Sequence, residues 1–317
     1  MTTSRRAQPH IPPVGEVNKY METLSNWGRW GPDDVIGTLN YITPQKRAEA
    51  AKLVKKGITV SCSNVLFPET ASDVTNPPLH YMIGTGNDAP QKGMGGAMDF
   101  LGIAFHGYRF THIDTPSHIF WNRKSYNGLD ASLVTAAGKA TKGGVDSISE
   151  GIVTRGVLLD IARVRGVQWM GPGDGILPED LEAAEKAEGV KVQPGDAILY
   201  RTGWPKRREV EGPPPLPGRP GLHAGSLPWV HERQVSVICA DAATDVAPSG
   251  YGEDLAFPLP VHAVGICAMG LWILDSGNYE ALAEVCAREK RWEFLLVIAP
   301  LRWKNATGSP LNPIAIF

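Results

Sequence analysis

The nine residues FTHIDTPSH, Phe110–His118, hold two imidazoles and one carboxylate within seven positions, with a proline between them. The whole chain has only eight histidines in 317 residues, so two flanking one aspartate call for a geometric reading. On a helix, His112 and Asp114 would stand about 200° apart and could not share a ligand. On an extended strand they face the same way, because side chains alternate with a period of two. Thr115 precedes Pro116 and is itself biased toward extended backbone. His118 would lie roughly 20 Å beyond His112 on a straight strand. The three can act together only if a strand carries His112 and Asp114 and a turn at Pro116-Ser117 folds His118 back. Imidazole with carboxylate suits Zn, Mn or Fe(II) and does not suit Ca or Mg. The spacing leaves two readings open: a metal or acid–base site, or histidines that merely hydrogen-bond to Asp114.

Working outward, six short apolar runs rich in Val, Ile and Leu read as strands: residues 58–63, 156–161, 197–201, 235–240, 270–274 and 294–301. Several lack polar alternation, which predicts strands covered on both faces. Three helices are expected. The first is capped by Thr43, has Pro44 at its first position and ends at Gly57. The second starts at Pro178 with acids in its first turn and stops at Gly189. The third runs from about Asn278. The basic run Lys206-Arg207-Arg208 reads as a solvated loop, and Gly212–Gly221, GPPPLPGRPG, as an exposed extended connection. The sum is one strand-rich α/β domain over residues 15–317, preceded by a flexible arm over residues 1–14.

Composition narrows the function. A net charge of −2 with interspersed signs leaves no footprint for nucleic acid or an anionic membrane. No run approaches the ~20 apolar residues of a membrane span, and the first residues lack the apolar core of a secretory signal. The four cysteines form no CxxC pair, which fits buried reduced thiols in a cytoplasmic protein. GTGNDA, Gly84–Ala89, imitates a dinucleotide fingerprint, but Pro90 forbids the helix such a site needs, so a loop is expected. Cys239 sits inside an apolar strand, where a thiolate nucleophile is disfavoured.

THIDTPSH resembles the T-H-x-D-x-P-x-H core of the metal-dependent hydrolase family that includes bacterial kynurenine formamidase and isatin hydrolase. The segments WGPDDVIGTLNYITPQKR, RGVLLDIARVRG, GDAILYRTGW and ATGSPLNPIAIF also look like that family's, so the resemblance spans most of the chain. It implies a swivelling β/β/α-type fold and a divalent ion, Mn or Zn. His112, Asp114, His118 and His262 match positions that hold the ion, with His118 as ligand or general base. The family's first histidine falls at position 108 of this numbering, followed by a glycine at 110. Here those positions are Tyr108 and Phe110, and His106 does not align, which predicts one ion per chain rather than two. The family's downstream glutamate has only Asp275 nearby, and a cap ahead of the third helix is the expectation for it.

Trp30 and Trp204 are candidates to line a pocket for a planar substrate, with core filling as the alternative. Asn40 and His80 resemble family pocket positions. The resemblance implies hydrolysis of a small amide, cyclic amide or lactone, by a homodimer or homotetramer. A non-catalytic small-molecule binder on the same scaffold and a metal-dependent cyclase or dehydratase are the alternatives.

Overall fold

A computed structural model describes residues 10–317. At its centre is a mixed sheet whose strands, in chain order, are β1 (Thr59–Ser61), β2 (His112–Asp114), β3 (Ile152–Leu159), β4 (Ala197–Tyr200), β5 (Val237–Ala240), β6 (Trp272–Asp275), β7 (Glu293–Ile298), β8 (Gly308–Pro310) and β9 (Ile314–Ile316). Across the sheet they run β1-β9-β7-β3-β4-β5-β6-β2-β8. The inner four, β3 to β6, are parallel, and every outer pairing is antiparallel. The apolar runs of β4 and β5 explain themselves. Ile198, Tyr200, Ile238 and Ala240 pack into one core cluster, while Ala197, Leu199, Val237 and Cys239 pack into the cluster on the opposite face. No face is left for polar residues, so alternation disappears.

All six expected strands exist, with shifted ends. β3 begins at Ile152, four residues before the expected start, and its first half alternates buried and half-exposed residues. It ends at Leu159 because Asp160 caps a helical turn, its side chain accepting from the Arg163 amide. The two C-terminal strands were not foreseen. Each is only three residues long, Gly-Ser-Pro in β8 and Ile-Ala-Ile in β9, too short for a periodic signal, and their partners hold them in the sheet.

Helix α1 (Pro44–Ala51) starts as expected, with Thr43 Oγ1 accepting from the Lys46 amide at 3.1 Å. It stops well before Gly57, because the amides of Lys56 and Gly57 both donate to the Phe317 carbonyl and carry the chain into the sheet edge. α2 (Pro178–Glu188) ends at Gly189 with φ +68, as expected. α3 (Trp204–Glu211) overturns the loop expected around Lys206-Arg207-Arg208. Its face is almost wholly polar, so periodicity gives no signal. Pairs of Lys206 with Glu209 and Arg207 with Glu211, and Arg208 reaching Asp73 at 2.6 Å, support it instead. α4 (Glu280–Glu289) follows β6. Between α3 and the rim of the sheet, the proline-rich run is only partly exposed: Pro214, Arg219 and Pro220 are buried.

The apolar stretch before β6 is a fully buried π-helical segment, Ala263–Met269. Gly270 ends it at φ +67, where a Cβ would stand 2.6 Å from the Tyr126 ring. Residues 1–9 of the expected arm lie outside the described residues, and the remainder is not loose: Pro12 is buried and its carbonyl accepts from the Tyr251 hydroxyl at 3.0 Å. GTGNDA forms the bend of a two-stranded hairpin, Leu79–Gly84 with Met98–Gly102, where Thr85 and Asp88 close a capping box. No helix among the described residues is long and apolar enough to cross a membrane.

Glu188, the last residue of α2, shows how burial couples this fold to pH. Burial first, and then the Asp160 charge, push its carboxyl up from 4.5 to about 8. One oxygen accepts the Asp160 amide at 2.8 Å and the other has no partner among the described residues. The folded protein keeps a proton that the unfolded chain has lost, so stability falls as pH rises from about 4.5 to about 8. Glu188→Gln is therefore expected to be more stable than wild type above that window, by about 1–3 kcal/mol. Urea unfolding at the two ends of the window reads the difference.

Candidate metal centre

β2 is an inner strand, paired on one side with β6 and on the other with β8. Its three residues are buried. Ile113 points into the core, so His112 and Asp114 share the opposite face. Beyond Asp114 the chain turns where Pro116 predicted it, with the His118 amide donating to the Thr115 carbonyl at 3.0 Å. Thr115 and Ser117 tie the turn through their hydroxyls, 2.9 Å apart. The turn returns His118 toward Asp114, with Nε2 3.9 Å from Oδ1.

Three more side chains arrive from elsewhere. His262 comes from the helical turn Pro260–His262 and points Nε2 at Asp114 Oδ2 (3.4 Å) and at Asp275 Oδ2 (3.3 Å). Asp275 is the last residue of β6, in register opposite His112. His106 comes from the loop ahead of β2, with Nδ1 2.8 Å from Asp114 Oδ1 and its ring stacked on His118 at 3.9 Å and 4°. His112 Nε2 lies 3.6 Å from the same oxygen. Two triads result, His106–His112–Asp114 and Asp114–His262–Asp275, each with ligand atoms within 4.8 Å of one another. Asp114 belongs to both.

Neighbours set the direction of each ligand atom. His112 Nδ1 donates to the Phe110 carbonyl at 2.7 Å, which leaves the Nε2 lone pair facing the cage. Asp245 holds His262 through Nδ1 at 2.5 Å and also accepts the amides of Val261 and His262. Asp275 anchors Oδ1 on the amide and hydroxyl of Thr244, leaving Oδ2 to the cage. An outer carboxylate that orients a ligating imidazole typically contributes 10–100-fold in metal affinity. Asp245→Asn is accordingly expected to weaken metal affinity by about that factor, without unfolding the protein, as read by competition against a chelating dye.

The electrostatics favour a cation. Burial opposes ionisation of Asp114, but the charges of His118 and His112 and the bonds from His106 and His262 outweigh it and hold the carboxyl well below its usual range. Burial lowers His118 to about 4 despite the pull of Asp114. Burial would also lower His262, but Asp275 and Asp114, together with Asp245, reverse the direction and raise it. His106 Nδ1 meets Asp114 Oδ1 at 2.8 Å, but the other three imidazoles stand off its oxygens at 3.4 to 3.9 Å, too far for strong hydrogen bonds. A buried carboxylate ringed by lone pairs costs several kcal/mol unless a cation satisfies it. The donor set of four imidazoles and two carboxylates fits such an ion.

Two expectations change here. His106, set aside because it does not align, meets Asp114 directly. The two extra residues before Thr111 are taken up in an irregular loop, where spacing is not constrained. Tyr108 is turned away and lies under the Arg219 guanidinium at 5.0 Å. Asp275 is not a cap of α4, which starts five residues later behind Tyr279. Strand register places it in the cage. The outlying candidates take partners elsewhere. Trp30 packs edge-on against Tyr41 at 5.0 Å. Asn40 donates to Asp34 and to the Gly37 carbonyl. His80 pairs with Asp99 across the exposed hairpin at 2.6 Å. Trp204 is buried under Arg207 and borders a cavity beside α3. All four cysteines are free and buried, and burial pushes the Cys239 thiol well above its usual value.

Comparison with known proteins identifies the family. The Cyclase family model matches residues 78–245, which contain the whole of β2, its turn and Asp245. A crystal structure described as a novel cyclase is 31% identical, with a TM-score of 0.80 over 93% of this chain and 100% of that one. The chain belongs to the Cyclase family. Two isatin hydrolases share the fold at greater distance. Isatin hydrolase A from Labrenzia aggregata, bound to benzyl benzoate, is 22% identical with a TM-score of 0.56, covering 84% of this chain and 94% of its own. Isatin hydrolase A from Ralstonia solanacearum is 21% identical with a TM-score of 0.57, covering 81% and 91%. No curated protein matches the chain.

Proposed function

We propose that this chain is a metal-dependent hydrolase of a small amide, cyclic amide or lactone with an aromatic body. The observation that carries the reading is Asp114: a fully buried carboxylate, ringed by four imidazoles, at the junction of two ligand triads. A divalent ion, manganese or zinc, would supply Lewis-acid polarisation of the scissile carbonyl and a water acidified toward neutrality. His106, His112, Asp114, His262 and Asp275 would hold it. His118 stands with His106 at the open side of the cage, its side chain 23% exposed beside 29% for His106 and 2% for His112. It would accept the proton from water and return it to the leaving nitrogen or oxygen. Its stacking on His106 holds the ring in place during both transfers. The binder alternative rested on a missing first histidine, and the place of His106 beside Asp114 weighs against it.

Metal analysis of protein purified without chelator, combined with hydrolysis assays on N-formyl anilines, isatins and lactones, tests the reading. Bound manganese or zinc with turnover of at least one class supports it. A metal-loaded protein inert to all three classes refutes hydrolysis and favours ring closure or dehydration.

A cytoplasmic homodimer or homotetramer completes the proposal. Supporting it, the hairpin Leu79–Gly84/Met98–Gly102 is covered on neither face and exposes Tyr81, Ile83, Phe100 and Leu101. A lone two-stranded ribbon is marginal in water. Ile83→Glu with Leu101→Glu is expected to convert the assembly to monomers in light-scattering chromatography; a wild type that already runs as a monomer refutes it.

A further inference from the structure

Outside the cage, a cavity of about 650 Å³ lies at the carboxyl ends of the parallel strands. Arg201 follows β4, Asp241 follows β5 and Ser276 follows β6, so three successive strand ends deliver side chains to one rim. In open parallel sheets that crevice is where ligands bind. None of the cage side chains borders it.

Its charges do not balance. Arg201 is clamped by Glu280 at 2.9 and 2.7 Å and by Asp160 at 2.9 Å. Arg208 is paired with Asp73, Lys206 with Glu209 and Arg109 with Glu69. Every cation on the wall therefore has a carboxylate. Two wall carboxylates are in no close ion pair among the described residues: Asp241, which is buried, and Glu284, which is exposed and acts on Lys206 only at longer range. Asp241 is buried and fixed by the amides of Thr202 and Gly203, both at 2.8 Å, and by the Thr202 hydroxyl at 2.6 Å. Each oxygen takes no more than two of these donors.

An independent feature points to the same place. Ser276, also on the wall, is buried, and its hydroxyl has no hydrogen-bond partner. Its backbone sits at φ +57, a conformation that costs a non-glycine residue energy and clusters at functional sites. Trp204, Tyr108 and Phe67 supply aromatic surface beside it.

We propose that this cavity is a second ligand site, distinct from the metal cage, which takes a protonated organic amine with an aromatic body. The ammonium lies between Asp241 and Glu284 with the Ser276 hydroxyl in reach, and the ring lies against Trp204 and Phe67. A hard metal ion at this place would have to draw most of its six or more oxygens from water. An ammonium brings three donors, which matches the acceptors present.

Benzylamine is the probe, titrated calorimetrically into the metal-loaded full-length protein beside benzyl alcohol, benzoate, MgCl2 and CaCl2. Benzylamine is expected to bind at one per chain and at least tenfold more tightly than benzyl alcohol. Glu284→Gln, on the outer side of α4, and Asp241→Asn should each weaken it about tenfold, while His112→Ala leaves it unchanged. The inference is overturned if benzyl alcohol binds as well, if Glu284→Gln binds benzylamine like the wild type, if His112→Ala abolishes binding, or if Mg or Ca displaces the amine. Should Asp241→Asn fail to fold, Glu284→Gln decides alone.

Discussion

Asp114→Ala is expected to abolish metal retention and lower kcat/KM by at least about 10³-fold, roughly 4 kcal/mol of transition-state stabilisation. Asp114 is the one side chain common to both ligand triads, so its loss dismantles both together. Removing His112 or His262 leaves a triad intact and should cost less. Because the alanine also leaves a hole in a buried strand, Asp114→Asn is the sharper variant. It keeps the volume and the strand pairing but removes the charge. The expected result is a folded protein, by circular dichroism, with little metal and little turnover. An asparagine variant that retained both full metal content and full activity would sink the proposed chemistry.

The second large effect is expected at His118. If this ring moves the proton, His118→Gln lowers kcat by about 10²–10⁴ while metal content stays at the wild-type level. The rate profile should also lose the limb that reports deprotonation of the base. Glutamine preserves a polar side chain over His106, so loss of packing is a poor explanation for such a result. A variant that instead loses its metal shows His118 to be a ligand. Its greater distance from Asp114, 3.9 Å against 2.8 Å for His106, favours the first outcome.

Much of the cage was legible in nine residues. Period-two alternation required His112 and Asp114 to share a strand face, and Pro116 marked the bend that returns His118. Both arguments are local: they depend on backbone sterics within a few residues and need no knowledge of the rest of the chain. The six apolar strands were legible for a similar reason, since burial on both faces leaves a continuous apolar run. α3 was not legible, because a helix held by ion pairs to Asp73 and between its own turns carries no apolar stripe.

His106, Asp245 and Asp275 mark the boundary between the two kinds of knowledge. His106 sits in an irregular loop whose length the motif spacing does not constrain. Asp245 has a role only because the helical turn at His262 lies against it, 17 positions along the chain. Asp275 enters the cage through strand pairing with His112, and a pairing register is set by long-range packing that no local pattern encodes. The sequence by itself determined the family, the strand–turn unit and the kind of ion its donors suit. Tertiary structure alone decided which distant imidazoles and carboxylates complete the cage, because convergence in space is a property of the packed sheet rather than of residue order.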